Sequence, residues 1–184
     1  MSELDELREV QTASREIFDG KIMHVFEDTV RLPDGNAATR EYMRHIGAVC
    51  VIPVLENGDV LVERQYRYPV GQVLTEIPAG KLDRRDEDRL LAAQRELREE
   101  TGAEAGEWTS LGLFYPACAY SDEAIEMFLA RGIRFGERHL DKDEFLNVTR
   151  MPLAVLLEAV MAGEVPDAKT QIAVLKAARL LGLR

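Results

Sequence analysis

Histidine and cysteine are scarce in this chain, with three and two among 184 residues. His24, His45 and His139 are scattered with no ligand spacing, so no imidazole-based metal centre is expected. Ser121, in YSDE, has no matching His-Asp arrangement nearby and reads as a loop position rather than a nucleophile. Cys50 and Cys118 lie in the apolar contexts AVCVI and PACAY. Both are expected as reduced thiols in or near the core, which excludes a disulfide scaffold. MSELDELREV contains no apolar stretch of signal-peptide type, and no run approaches the ~18 apolar residues of a membrane span. A soluble, cytoplasmic protein is therefore expected, and the sequon at Asn147 has no consequence. Positive charge is also short: 23 basic residues face 33 acidic ones, for a formal charge of -10. That balance argues against gripping nucleic acid or anionic lipid. A small anionic substrate remains compatible if local arginines or a metal ion reverse the field.

Apolar material is ample, 46% of the chain, enough for one domain with a small appendage. The first ten or so residues are charged and suit a frayed helix. From Ile17 to Arg44 short alternating stretches surround LPDGN, where Asp34-Gly35 signals a hairpin, so antiparallel strands are predicted. GAVCVIPV is nearly all apolar and reads as a strand buried on both faces. A turn at Asn57-Gly58 leads into a further strand, DVLVERQYR, and Val73 to Ile77 reads as another. PAGKLDRRDEDR is a polar loop. Leu90 to Thr101 has helix-forming composition, with Leu90, Leu91 and Leu97 available for an inner face and Gly102 at the cap position. Strands are expected over Trp108 to Tyr115, Ala124 to Ala130 and Phe145 to Arg150. Helices are expected over Leu153 to Ala162 and Ala168 to Leu181. No internal repeat or low-complexity segment occurs. The order predicts an α/β (α+β) fold, a mixed β-sheet sandwiched between helices, preceded by an N-terminal antiparallel strand unit.

Within the central helix, RELREETG places Glu96 and Glu100 one turn apart with Glu99 beside them, and Glu87 lies just upstream. Like charges at this spacing repel. Charge pattern alone leaves two readings open. One is a solvated helix face, with Arg95 to Glu99 as an exposed ion pair worth about 0.3–0.5 kcal/mol. The other is a site for a hard divalent cation, magnesium above all, which takes oxygen ligands and bridges phosphate oxygens.

The longer string GKLDRRDEDRLLAAQRELREETGA, Gly80 to Ala103, resembles the Nudix box. Glu87, Arg95, Glu96, Leu97, Glu99, Glu100, Gly102 and Ala103 all fall in register. One departure is visible: six residues stand between Gly80 and Glu87, one more than the family usually has, which leaves Asp86 at the usual distance from Gly80. The resemblance implies a Nudix-type fold. It also implies Mg2+, with Mn2+ able to substitute, on Glu96, Glu99, Glu100 and the backbone carbonyl of Ala79. Arg95 would orient the carboxylates, and Glu87 would fix the loop or reach a metal through water. The implied reaction is attack of water on a diphosphate.

Outside the box, GAVCVIPV, LVERQYRYPVG, LTEIPAGKLD, FYPACAYSDE and PDAKT are similar to the ADP-ribose pyrophosphatase subgroup. This likeness implies residues 1–45 as a strand-rich dimerisation unit, exchanged within a homodimer, and 46–184 as the Nudix hydrolase domain. It implies ADP-ribose as the small-molecule substrate, cut into AMP and ribose 5-phosphate, with Arg67 on phosphate and Arg64 as second choice. Glu76 either contacts the terminal ribose or a metal, or holds structure by hydrogen bonds. Tyr66, Tyr68 and Phe26 are candidates for stacking on adenine, and Asp122 and Glu123 for lining the ribose pocket. The general base is expected in the acidic loop ERHLDKDEFLNV, at Glu144, with Asp143 and Asp141 behind it. Two rivals stand beside this reading. One is the same chemistry on another nucleoside diphosphate sugar or a dinucleotide; the other is a non-catalytic nucleotide-binding Nudix module, against which the retained Glu96, Glu99 and Glu100 argue.

Overall fold

The structure is a computed structural model that describes residues 2–139 and 145–183. Its backbone contacts divide the chain into two units. The first runs to His45 and takes in Ala117–Ala124. A one-turn helix, α1 (Glu3–Leu7), is closed by a capping box between Ser2 and Asp5. Strands β1 (Val10–Asp19), β2 (His24–Arg31) and β3 (Ala37–Arg44) form an antiparallel sheet in that order. The hairpin between β2 and β3 turns at Asp34-Gly35, where the Asp34 carboxylate accepts from the Asn36 N–H at 3.0 Å. Strand pairing begins at Val10, earlier than the Ile17 that the alternation suggested, because β1 is exposed along all ten residues and carries no buried face to produce a pattern. The 117–124 segment joins this unit through bonds from the backbone N–H groups at the end of β3 and just beyond it. Met43 N–H donates to the Tyr120 carbonyl at 2.8 Å, and His45 N–H donates to Asp122 Oδ1 at 2.6 Å.

The second unit carries the remaining elements. They are β4 (Ala48–Pro53), β5 (Asp59–Arg67), a single 3-10 turn at Tyr68–Val70, β6 (Gln72–Glu76) and β7 (Ala79–Lys81), then α2 (Arg89–Thr101). After α2 come β8 (Ala103–Phe114), β9 (Ile125–Phe135), β10 (Leu146–Pro152), α3 (Leu153–Met161) and α4 (Ala168–Leu180). A four-stranded mixed sheet has the order β7-β4-β9-β8, with β4 and β9 parallel, and a three-stranded sheet has the order β10-β5-β6. All six residues of β4 are buried, as expected of a central strand covered on both sides. Its side chains alternate: Ala48, Cys50 and Ile52 join a cluster with α3 and α4, while Val49 and Val51 join one with α2. β9 divides likewise, Met127 and Leu129 one way, Phe128 and Ala130 the other. The α/β sandwich expected from the element order is therefore present, with α2 on one face of the mixed sheet.

α2 forms from residues of high helix propensity, without Gly or Pro, and is bounded by specific caps. The Asp88 carboxylate accepts from the N–H groups of Leu90 and Leu91 at 2.9 and 3.0 Å. Gly102, at φ +69°, ends the helix in the left-handed region, and a Cβ there would lie 2.9 Å from the Gly136 carbonyl oxygen. The inner face differs from the leucine-based expectation: Ala92, Ala93 and Leu97 are fully buried, whereas Leu91 is 61% exposed. The small alanines let the helix approach the sheet closely, and Leu97→Ala would cost about 2–5 kcal/mol at such a site.

Candidate functional site

The loop from β6 to β7 runs beneath α2, and its backbone is held residue by residue. Val51 N–H donates to the Pro78 carbonyl at 2.8 Å, and Ala79 N–H donates to Glu100 Oε2 at 2.9 Å. Glu100 itself is 3% exposed. Gly80 has a different reason to be glycine. A Cβ on it would stand 1.9 Å from the Glu96 carboxyl carbon and 2.2 Å from each carboxylate oxygen. The missing side chain thus leaves room for a carboxylate to lie on the main chain. Ala79, Glu96 and Glu100 therefore come together, with Glu99 on the adjoining, half-buried position.

Arg95 is the positive group among these acids. Its guanidinium lies 2.7 Å from Glu96, 3.4 Å from Glu99, 3.5 Å from Glu87 and 3.7 Å from Asp83, and Nη2 donates to the Lys81 carbonyl at 3.2 Å. Burial works against its charge, but the neighbouring carboxylates, Glu96 foremost, outweigh it and raise the Arg95 pKa above the ordinary value. Among the described residues, one guanidinium meets four carboxylates. The all-oxygen donor set and the cradle at Gly80 fit a hard divalent cation. The extra loop residue is also resolved. Glu87 turns inward and accepts from Asp83 N–H at 2.7 Å, whereas the Asp86 side chain is 85% exposed and pairs with Arg84. Glu87, in register with Arg95, is the box glutamate, and the insertion is absorbed in the turn before it.

A second charged cluster sits at the end of β6. Glu76, 1% exposed, receives both Nε and Nη2 of Arg67 at 2.7 Å each and is also paired with Lys169. Lys169 in turn lies 3.0 Å from Asp167, the N-cap of α4. Burial opposes ionisation of Glu76, yet the bonds from Arg67 and the Lys169 charge overcome it and hold its carboxyl below the usual range. The same pairing raises Arg67. Of the alternatives for Glu76, a buried ion-pair centre is what the geometry displays. Lys169, Asp167 and Thr170 were missed as site residues; the signal was PDAKT, whose charged residues find Glu76 only through the fold.

The other candidates are dispersed. Arg64 donates to Thr75 Oγ1 at 2.8 Å on the exposed side of β5. Tyr66 and Tyr68 are largely exposed. Phe26, on β2, stacks with Tyr42 at 5.9 Å beneath the Arg44 guanidinium, which is 4.2 Å from the Phe26 ring. Glu144, Asp143 and Asp141 lie outside the described residues. Asp122 holds the His45 backbone, and Glu123 Oε1 is 3.7 Å from His45 Nδ1. Cys50 is buried, which pushes its thiol up to about 12, but Cys118 is exposed, contrary to its apolar context. The histidines do not all stand apart. The β1–β2 hairpin brings His24 Nδ1 to 2.7 Å from Asp19 and 3.8 Å from Glu16, a largely exposed trio. No described helix is long and apolar enough to cross a membrane.

Comparison with known proteins bears on this geometry. A family description, NUDIX domain, matches residues 43–172, and another, nucleoside diphosphate sugar hydrolase N-terminal domain, matches residues 10–43. The chain is similar to the ADP-ribose pyrophosphatase of Bacillus subtilis (strain 168), at 39% identity over 91% of each chain. It is also similar to the methanol dehydrogenase activator of Bacillus methanolicus, at 36% identity over 95% of this chain and 94% of that one. A crystal structure of an ADP compounds hydrolase shares the fold, with a TM-score of 0.83 over 95% of both chains at 20% identity.

Proposed function

The chain belongs to the Nudix family, and on that premise we propose that it hydrolyses the diphosphate of ADP-ribose to AMP and ribose 5-phosphate with magnesium. The observation that carries the reading is the carboxylate-rich loop-helix junction, in which Glu96 occupies the space a side chain at Gly80 would fill. The substrate reading is supported by the likeness, over most of its length, to an ADP-ribose pyrophosphatase.

Glu96, Glu99, Glu100 and the Ala79 carbonyl are the ligands in this reading. A divalent cation bound there would neutralise phosphate oxygens and lower the pKa of a water. Arg95 holds the orientation of Glu96 and Glu99. Arg67 has two nitrogens fixed by Glu76 while its side chain is 41% exposed, so its outer edge can meet a phosphate oxygen. Arg64 is the second cation. Glu144 takes the proton from the attacking water, with Asp143 and Asp141 as the next candidates. We further propose a cytoplasmic homodimer that pairs through residues 1–45. Support comes from β1, an exposed ten-residue edge strand of the kind that invites pairing, and from the two unpaired thiols.

The decisive experiment offers ADP-ribose beside GDP-mannose, ADP-glucose and NADH, with and without magnesium, in water labelled with heavy oxygen. ADP-ribose should turn over fastest and only with the metal, with label in one phosphate product. Faster cleavage of another substrate would move the specificity; no cleavage at all with the metal would leave a binding module. Glu144→Gln should lower turnover with little change in substrate binding.

A further inference from the structure

The first turn of α4 reaches back to the strand that precedes the metal loop. Thr170 is fully buried. Its hydroxyl accepts from Ile77 N–H at 3.0 Å and donates to Asp167 Oδ2 at 2.6 Å. Asp167 also accepts from Thr170 N–H at 3.0 Å, so the hydroxyl is fixed by the cap of its own helix. Ile77 opens the segment Ile77-Pro78-Ala79-Gly80. Three elements hold it: α4 bonds Ile77, Glu100 of α2 bonds Ala79, and β4 holds Pro78 through Val51 and pairs Gly80 with Val49. Ile77 is buried, at 1% exposure, and among the described residues its amide is received by the Thr170 hydroxyl. Without that hydroxyl the amide must find another acceptor, and the backbone next to Ala79 has to move to do so.

We propose that Thr170 is a positioning residue: its hydroxyl, aimed by Asp167, sets the height of the Ile77–Gly80 backbone and thereby the placement of the Ala79 carbonyl relative to Glu100 and Glu96. This rests on the reading of those groups as metal ligands. Groups hydrogen-bonded to metal ligands are worth roughly 10- to 100-fold in affinity; Thr170 acts through a backbone N–H two residues before Ala79, so the lower end of that range is expected. Their loss should appear in metal binding even where the fold survives.

The test measures Mn2+ binding to the full chain by electron paramagnetic resonance, alongside thermal melting. Thr170→Val removes the hydroxyl at nearly constant shape, and Thr170→Ala does so with less bulk should the valine variant not fold. Thr170→Ser keeps the hydroxyl. Val174→Ala, one turn along α4 in the core, lowers stability without touching the bond. The expected result is Mn2+ affinity weakened roughly 10-fold or more in the valine or alanine variant, near-native affinity in the serine variant, and native affinity with a lower melting temperature in Val174→Ala. Native affinity in a folded Thr170→Val or Thr170→Ala variant overturns the proposal and leaves the metal site standing, as does equal weakening in Val174→Ala. Absence of Mn2+ binding in the unaltered protein overturns the metal site itself, and the role of Thr170 with it.

Discussion

Two clusters of charge in the second unit differ in balance. Around Glu76, two cations, Arg67 and Lys169, meet two anions, Glu76 and Asp167. Around Arg95, one cation meets Asp83, Glu87, Glu96 and Glu99. Burial of charge is tolerated where pairing is complete, so the first cluster can be a part of the structure in its own right. Among the described residues the second sets four carboxylates on one guanidinium, an excess of acid that a divalent cation would offset.

This contrast can be broken by mutation, and the largest effect belongs to the unbalanced cluster. Glu100→Gln keeps an acceptor for the Ala79 N–H but removes the charge. Magnesium-dependent turnover should fall by at least roughly 100-fold, the upper range for supporting groups alone, with the melting temperature little changed; an undiminished rate would remove Glu100 from the site. Gly80→Ala comes next. Its Cβ displaces only the end of the Glu96 side chain, so Mn2+ affinity, read by titration, should weaken by roughly 10-fold or more while the fold persists. In the balanced cluster the order of effects should invert. Glu76→Gln should destabilise by about 2 kcal/mol, less than for a fully buried pair because Arg67 is half exposed, as measured by urea unfolding.

The Glu76 carboxyl is held below its ordinary value of 4.5. Its contribution is therefore complete above that pH and fades as pH falls through the lower folded value. The stability gap between the native protein and Glu76→Gln should accordingly narrow on acidification below 4.5, and a widening gap would reverse the assignment. The smallest effect is expected outside both clusters: Asp86→Ala, at an 85% exposed side chain, should stay within about 0.5 kcal/mol and leave activity unchanged. Glu87→Ala, by contrast, should reduce turnover.

What could be read in advance and what could not follows from the range of the interactions. The helix over α2, its caps and the carboxylates on one face are local properties, fixed by residues three and four apart, and the chain order determined them. The continuous apolar run that lets β4 be buried on both faces was likewise legible in GAVCVIPV. The inner face of α2 was less so, since Leu91 and Ala92 are both apolar and only the sheet decides which one it meets. Spacing to Arg95 pointed to Glu87 while spacing to Gly80 pointed to Asp86, and the turn that carries Glu87 to Arg95 is what brings the side chain in. Lys169 and Thr170 stand 93 residues from the groups they hold, Glu76 and Ile77. No periodicity spans that distance. The sequence by itself determined an acidic helix able to gather a cation; which backbone it faces, and which distant residues hold that backbone in place, was decided only when β6, β7, α2 and α4 converged, because hydrogen bonds and burial act through space and not along the chain.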